Sequence, residues 1–178
     1  MTGQPEFSRT VRVDTLAGQP RSLSIGATEE ERAALSERFG LVAIERLSAE
    51  AELRRSGNEV RATGTLSAAV VQSCVATGEP VPAEVQEDFS IVFRPHPEVA
   101  AEEEVELSEG ELDVVFYDGA SVDLGEAVAE TLSLSLEPYP RSTDADAALR
   151  EAGVVSEEEA APVSPLAGLK DLLAGKKS

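Results

Sequence analysis

The chain contains no tryptophan, one cysteine and one histidine among its 178 residues. Aromatic side chains make up only 4% of it, so its hydrophobic core has to be built from valine, leucine, isoleucine and alanine. The single cysteine, Cys74, excludes a disulfide framework within the chain and agrees with a reducing compartment. One cysteine and one histidine are also too few for a structural zinc site, which generally needs four ligands.

Long apolar runs are absent as well. No segment approaches the roughly 20 consecutive apolar residues that a membrane-spanning helix needs. The first residues, MTGQPEFSRTVRV, lack the basic and apolar regions of a secretory signal. The sequence therefore predicts a cytoplasmic protein that does not contact a membrane.

Positive charge is scarce. The chain has 34 acidic residues against 15 lysines and arginines, which gives a formal net charge of −19. No lysine or arginine occurs between Arg94 and Arg141, whereas acidic residues crowd between Glu98 and Asp113. Proteins bind the nucleic-acid backbone mainly through Lys and Arg, so we expect no DNA binding and no autonomous, non-specific RNA binding. The acidic run is interpreted either as a solvated loop or as a docking surface for a basic protein.

Residues for catalysis and for cofactors are missing too. Cys74 and His96 are predicted to lie on the order of 35 Å apart along one extended strand, which excludes a Cys-His nucleophile. No phosphate-binding loop, dinucleotide-binding turn or nucleophile elbow occurs, and the acidic run lacks the spacing of a calcium loop. We therefore predict a protein that is not an enzyme, with no catalytic residues, no metal site and no cofactor. Cys74 is interpreted as a small buried hydrophobe.

Two elements are predicted near the start of the chain. Residues 7–13 alternate between apolar and polar side chains, which is typical of a half-buried strand. A helix is predicted over Glu29–Phe39, because Thr28 and Glu31 have the spacing of a capping box and Gly40 stands where the chain should leave the helix.

A long β-hairpin is predicted next. Two alternating segments meet at Gly57-Asn58, a dipeptide that tolerates the positive φ angles of a tight hairpin loop. This loop predicts three facing pairs: Leu53 with Ala62, Ala49 with Leu66, and Leu47 with Ala68. A third long strand is predicted from its inward set, Val85, Phe89, Ile91 and Phe93, and a short strand is predicted to end at Asp118-Gly119.

The stretch DLGEAVAETLSLSLEPYP predicts an amphipathic helix with a rigid stop. Asp123 and Glu126 have capping-box spacing at its start. Its apolar stripe recurs every fourth residue: Leu124, Val128, Leu132 and Leu136. Pro138 ends the helix, because proline disfavours helical geometry in the residue before it.

The predicted architecture is α+β, with an antiparallel meander of long strands covered by two helices. Residues 1–140 form this single domain. Residues 141–163 are polar and acidic and are predicted to be a flexible linker. Residues 164–178 carry leucines on one side of a short helix, which would be marginal in isolation and should form on docking.

Read in order, QSCVATGEPVPAEV, VDLGEAVAETLSLSLEPYPR and SPLAGLKDLL resemble the YceD family of bacterial proteins, over roughly residues 7–173. The family is linked to accumulation of the large-subunit ribosomal RNA. The resemblance implies the following motif and interaction candidates: Cys74, Asp123, Leu124, Glu130, Leu132, Pro138, Pro140, Pro165, Leu166 and Leu169. Leu166 stands where the family has phenylalanine, and Cys74 lacks the second cysteine of the Cys-x-x-Cys pattern that many members carry.

The resemblance implies a non-enzymatic role in synthesis, processing or accumulation of 23S rRNA and in assembly of the large ribosomal subunit. The expected partner is a basic ribosomal protein or an assembly factor, so that the link to rRNA is indirect. Two alternatives stay open. One is a metal-dependent enzyme that uses the acidic run, and the other is an RNA-binding module that uses a local basic patch of Arg46, Arg54 and Arg61.

Overall fold

A computed structural model describes residues 5–16, 18–96 and 113–154. Its strands are β1 (Thr10–Arg12), β2 (Arg21–Gly26), β3 (Ala43–Ser56), β4 (Glu59–Ser73), β5 (Pro80–Pro95), β6 (Asp113–Tyr117) and β7 (Ser121–Asp123). Its helices are α1 (Glu29–Phe39), α2 (Leu124–Ser135) and α3 (Ala145–Glu151), with a 3₁₀ turn at Val13–Leu16. The α+β class is confirmed. None of the helices in these residues is both long and apolar enough to cross a membrane.

Five strands form the main sheet in the order β2-β3-β4-β5-β6. The three long strands β3, β4 and β5 pair antiparallel, so the predicted meander is confirmed. Strand β2 also pairs antiparallel with β3, whereas the short strand β6 runs parallel to β5, and the sheet is therefore not antiparallel throughout. A parallel neighbour requires a long crossover connection rather than a tight turn. The chain between β5 and β6, residues 97–112, has the length for such a connection and lies outside the described residues, as does most of the acidic run.

The register of the long hairpin is confirmed. Leu53 faces Ala62, Ala49 faces Leu66 and Leu47 faces Ala68 across β3 and β4. The alternation breaks at the start of β3, where a register shift lies between Ile44 and Arg46. A bulge adds one residue to one strand and reverses which side chains face inward. Ile44 is buried in consequence, whereas Ala43, which the uninterrupted alternation of this segment would place on the face of Leu47, is only half-buried.

The N-terminal strand is shorter than predicted. β1 covers three residues and pairs with β7 in a separate two-stranded sheet, although Phe7, Val11 and Val13 are all buried as the alternation indicated. Strand β2 was not predicted. It is an edge strand. Its apolar residues Leu23 and Ile25 alternate with polar or small ones but are only half-buried, so the sequence pattern that indicates a strand is weak here.

Helix α1 begins and ends at the predicted residues. The Thr28 hydroxyl accepts the Glu31 N–H, the Glu31 carboxylate accepts the Thr28 N–H, and Gly40 takes the left-handed conformation at φ 65°. Glu31 also accepts two hydrogen bonds from the Arg9 guanidinium, at 2.7 and 2.8 Å. These bonds, led by the one from Arg9, lower the pKa of Glu31 to about 2. The same carboxylate therefore caps the helix and ties down the N-terminal segment.

Helix α2 follows β7 without a loop. The Asp123 carboxylate accepts the N–H groups of Gly125 and Glu126, but the Glu126 side chain pairs with Arg38 of α1 instead of returning to the cap, so the predicted capping box is only half formed. Gly125 permits a close approach: a Cβ atom there would lie 2.5 Å from the carbonyl oxygen of Phe7.

One continuous core joins the inner face of the sheet to α1, α2 and the N-terminal segment. The helices lie on the same face and are linked by the Arg38–Glu126 ion pair, at 2.8 Å. The largest fully buried side chains are Phe7, Phe93, Leu16, Leu35, Leu53, Leu66, Ile91, Leu124 and Leu132. The opposite face of the sheet is mostly polar, as expected for an antiparallel sheet with one buried face, although Ala69 and Val92 on that face are also buried.

The predicted linker, 141–163, differs from the prediction at its start. Helix α3 lies within it, and Ala145 is 1% exposed. Composition alone predicted too little apolar surface for folding, but Ala145 is buried against the domain and Ser142, just before the helix, is hydrogen-bonded to Cys74. Residues 155–163 and the predicted docking helix, 164–178, lie outside the described residues.

We expect Leu132→Ala to destabilise the domain by about 2–5 kcal/mol, because Leu132 is fully buried. The matched control lies two residues away on the same helix. Leu134 is 81% exposed among the described residues, so Leu134→Ala should lower the free energy of unfolding much less than Leu132→Ala does. Urea denaturation followed by circular dichroism measures both, and similar losses for the two variants would contradict the packing of α2 described here.

We also expect Glu31→Gln to reduce the acid sensitivity of the fold. The pKa of Glu31 is lowered from 4.5 to about 2, so its contribution to stability is present above about pH 4.5 and is lost as the pH falls toward 2. The stability difference between the parent and the variant should therefore shrink across that interval. Denaturation midpoints measured at several pH values test this, and a constant difference would contradict it.

Candidate functional site

The motif residues divide between the two ends of α2. At the start, the Asp123 carboxylate accepts the Ser8 hydroxyl at 2.5 Å and the Arg9 N–H at 2.7 Å, in addition to the two helix N–H groups. Leu124 and Leu132 are fully buried. These three candidates are accounted for by the fold, because they fasten the N-terminal segment and fill the core.

At the other end, the structure brings two motifs together that are distant in sequence. The Val75 N–H donates to the Pro140 carbonyl at 2.9 Å, and the Gln72 side-chain amide donates to the Glu137 carbonyl at 2.8 Å. The Ser142 N–H donates to the Cys74 Sγ at 3.3 Å. The turn after β4 is thus fastened to the proline-containing segment that follows α2.

Cys74 is 3% exposed, in agreement with the prediction that it is buried. Its surroundings are more polar than that prediction assumed. The Thr77 hydroxyl lies in the same turn, 3.3 Å from the Ser142 hydroxyl. Hydrogen bonding from the Ser142 N–H first, and from Thr77 second, lowers the pKa of the Cys74 thiol to about 6. The sulfur therefore acts as a hydrogen-bond acceptor that helps to join the two segments.

Exposed apolar side chains surround this junction. Leu134 is 81% exposed, Tyr139 72% and Val75 56%. An open groove of about 540 Å³ lies between the end of α1, the end of α2 and the turn after β4. We call it the proline-end groove, and its apolar lining consists of Phe39, Leu41, Val75, Leu134, Leu136 and Pro138.

Two chain breaks create this groove. Gly40, in its left-handed conformation, turns the chain out of α1, and Leu136 takes an extended conformation that ends α2. Pro138 is exposed and Pro140 is buried against the domain. The proline motif therefore combines one residue that anchors the chain with one that lies on the surface.

Glu130 lies on the outer face of α2, four residues before Leu134 and four after Glu126. Partial burial, followed by the nearby Glu126 carboxylate, raises its pKa. Glu126 is neutralised by Arg38, whereas Glu130 has no ion-pair partner within the residues that the structure covers. An acidic group without a partner thus borders the exposed leucine.

The alternative basic patch is weakly supported. Arg54 and Arg61 are register partners on neighbouring strands, but Arg54 pairs with Glu52 and Arg46 pairs with Glu84, each at 2.8 Å. Carboxylates therefore offset two of the three charges, and the three arginines do not form a concentrated positive surface.

The two residues considered for a Cys-His nucleophile lie apart, and most of the acidic run considered for a metal site lies outside the described residues. Cys74 precedes the 16-residue strand β5 and His96 follows it, so they lie at opposite ends of that strand, as predicted. His96 instead stacks on Phe116, with ring centroids 5.3 Å apart. Among residues 5–16, 18–96 and 113–154, no group of three or more His, Cys, Asp or Glu side chains is arranged to hold a metal ion.

The sequence was compared with models of known protein families. Residues 62–173 match the family described as large ribosomal RNA subunit accumulation protein YceD. The chain belongs to the YceD family. The matched region begins in β4 and includes the Cys74 turn, α2, the proline motif and the C-terminal leucines. Searches of curated proteins and of solved structures returned no match.

The YceD motif explains some of the site but not all of it. Leu134, Tyr139 and Val75 were not among the predicted site residues, although they are the most exposed apolar groups around the groove. A signal for Leu134 was available. Residues two apart on a helix point about 200° apart, so Leu132 and Leu134 cannot face the same core. Pro165, Leu166 and Leu169 lie outside the described residues.

Replacing Cys74 with serine is expected to lower stability modestly, and more so at alkaline pH. The thiol pKa is lowered from 9.0 to about 6, so the thiolate contribution is fully present above pH 9 and is lost as the pH falls through 6. The advantage of the parent should widen between these values. Denaturation under reducing conditions near pH 6 and near pH 9 measures it, and equal differences at both would contradict the role of the sulfur as an acceptor.

Proposed function

We propose that this chain supports accumulation of the large-subunit ribosomal RNA without catalysing a reaction, by binding a basic ribosomal protein or assembly factor. The family description supports the process. The acidic surface, whose charge the chain's own arginines do not neutralise, supports this class of partner. A basic protein is the natural complement of such a surface.

The observation that carries the proposal is how the arginines are used. Most of them are occupied within the fold by carboxylates: Arg9, Arg12, Arg38, Arg46, Arg54, Arg94 and Arg141. Arg32 and Arg55 donate to backbone carbonyl groups. Few arginines of the described residues are therefore left to attract an RNA phosphate, and the excess of acids in the sequence determines the long-range field.

Acidic groups without such partners lie on the exposed surface of α1 and at the start of β3. Glu29, Glu30, Glu37 and Glu45 are exposed, and no arginine of the described residues lies within ion-pair distance of them. The acidic run leads into β6, whose first residue, Asp113, is also exposed. Charges of this kind mainly raise the rate of encounter with a partner of opposite sign.

Affinity purification of the full chain from cells, in low and in high salt, tests the proposal. We expect basic proteins of the large subunit to be recovered at low salt and to be lost as salt screens the charges. Recovery of rRNA after the bound proteins have been removed would instead favour direct RNA binding. A change in heat on titration with Mg²⁺ or Ca²⁺ would favour the metal-dependent alternative.

We further predict that Gln in place of Glu102, Glu103, Glu104 and Glu106 will slow association with a basic partner and weaken its salt dependence. A control with the same charge change carries Gln at Glu29, Glu30, Glu37 and Glu45. A larger effect of the first variant would identify the acidic run as the docking surface, and similar effects would indicate general attraction. Association rates unchanged in both variants at every salt concentration would contradict the proposal.

A further inference from the structure

The proline-end groove exposes apolar surface that the described part of the domain does not cover. Leu134 and Val75 are more than half exposed, and Leu136, Phe39 and Leu41 line the groove beside them. The lining also includes polar residues, among them Ser133 and Glu137, so the groove offers a small apolar surface with a polar rim. The groove is also lined by Pro138 and Pro140, where the proline motif ends. Its position at a family motif makes an accidental exposure a poor explanation.

We propose that the C-terminal segment of the same chain, Pro165–Leu173, packs into the proline-end groove. This inference is independent of the basic partner proposed above. It gives Leu134 of α2 and the leucines of the C-terminal segment a common role, namely contact with one another.

The apolar pattern of the segment fits such a surface. Leu166, Leu169, Leu172 and Leu173 follow spacings of three and four residues, which place them on one face of a helix. A helix of this length is marginal in water and requires an apolar surface to stabilise it. The groove provides one, with half-buried and exposed apolar side chains contributed by three different elements.

The chain is long enough to return to the groove. Ser142 and Pro140 are bonded to the Cys74 turn at the groove, and the seven-residue helix α3 begins three residues after Ser142. That helix is only about 10 Å long. The residues between Val154 and Pro165 can span roughly 35 Å when extended. This is more than the length of α3, along which the chain must return to reach the groove.

Charge favours the same placement. Glu137 lines the groove, and Glu130 lies one helical turn before Leu134 on α2; neither has an arginine partner in the described residues. All three lysines of the chain lie at its C-terminal end: Lys170, Lys176 and Lys177. Lys170 directly follows Leu169, so packing of the leucines would bring an ammonium group toward this acidic edge.

The covalent tether makes this segment a better occupant than a separate peptide of similar sequence. A short linker gives an effective concentration in the millimolar range, so an intrinsically weak contact is still populated. The family match also runs through the segment to residue 173, so the groove and its proposed occupant belong to the same family region.

Cysteine cross-linking in the full chain tests the proposal. The variant carries Leu134→Cys and Leu169→Cys in a Cys74→Ser background, and Leu134 is exposed enough to be replaced without disturbing the core. The control carries Thr63→Cys, on the exposed polar face of β4, in place of Leu134→Cys. We expect an intramolecular disulfide to form at least about tenfold faster in the first variant, independent of protein concentration.

Equal rates in the two variants would show that the segment samples the surface without preference and would overturn the proposal. A disulfide that forms only between molecules would assign the groove to a second copy and would overturn it as well. As a second measurement, methyl NMR of the full chain should show shifts at Leu134 and Val75 when Leu169 and Leu172 are both replaced by serine. Unchanged methyl resonances would likewise contradict the contact.

Discussion

Helices α1 and α2 and the N-terminal segment cover the apolar face of the five-stranded sheet. The rest of the structure depends on the burial of this face. The core contains no tryptophan and depends on many small contacts among valine, leucine and alanine. Close approach is therefore important, because small side chains fill space only when backbones come near one another. Gly125, against the carbonyl oxygen of Phe7, is one place where this requirement excludes any larger residue.

Helix α2 has ends of different character. At its start, the Asp123 carboxylate satisfies helix N–H groups and holds the N-terminal segment, so both of its oxygens accept hydrogen bonds inside the domain. At its end, Pro138 and the extended Leu136 stop the helix and leave Leu134 exposed beside the groove. A motif that reads as one unit in the sequence thus combines a structural anchor with apolar side chains that the described residues leave exposed.

The charged residues also fall into two groups, those paired within the fold and those exposed on its surface. Arginines fasten elements together, as Arg38 does between α1 and α2 and Arg9 between the N-terminal segment and α1. Among the described residues, Glu29, Glu30, Glu37 and Glu45 are exposed and have no arginine within ion-pair distance. This distribution stabilises the fold locally while the whole molecule keeps a strongly negative field. That field accounts for the proposed choice of a basic protein, rather than an rRNA phosphate backbone, as the direct partner.

The sequence by itself determined the elements whose signals are local. The capping box of α1, the Gly57-Asn58 hairpin and the register of Leu53 with Ala62 depend on neighbouring residues, and all three were predicted. Only the tertiary structure decided the features that depend on distant segments. The parallel pairing of β6, the meeting of Cys74 with Ser142 and the ordering of α3 each require contacts between residues far apart in the chain. Local patterns carry no information about such contacts, because their free energy arises only when the separate segments are brought together.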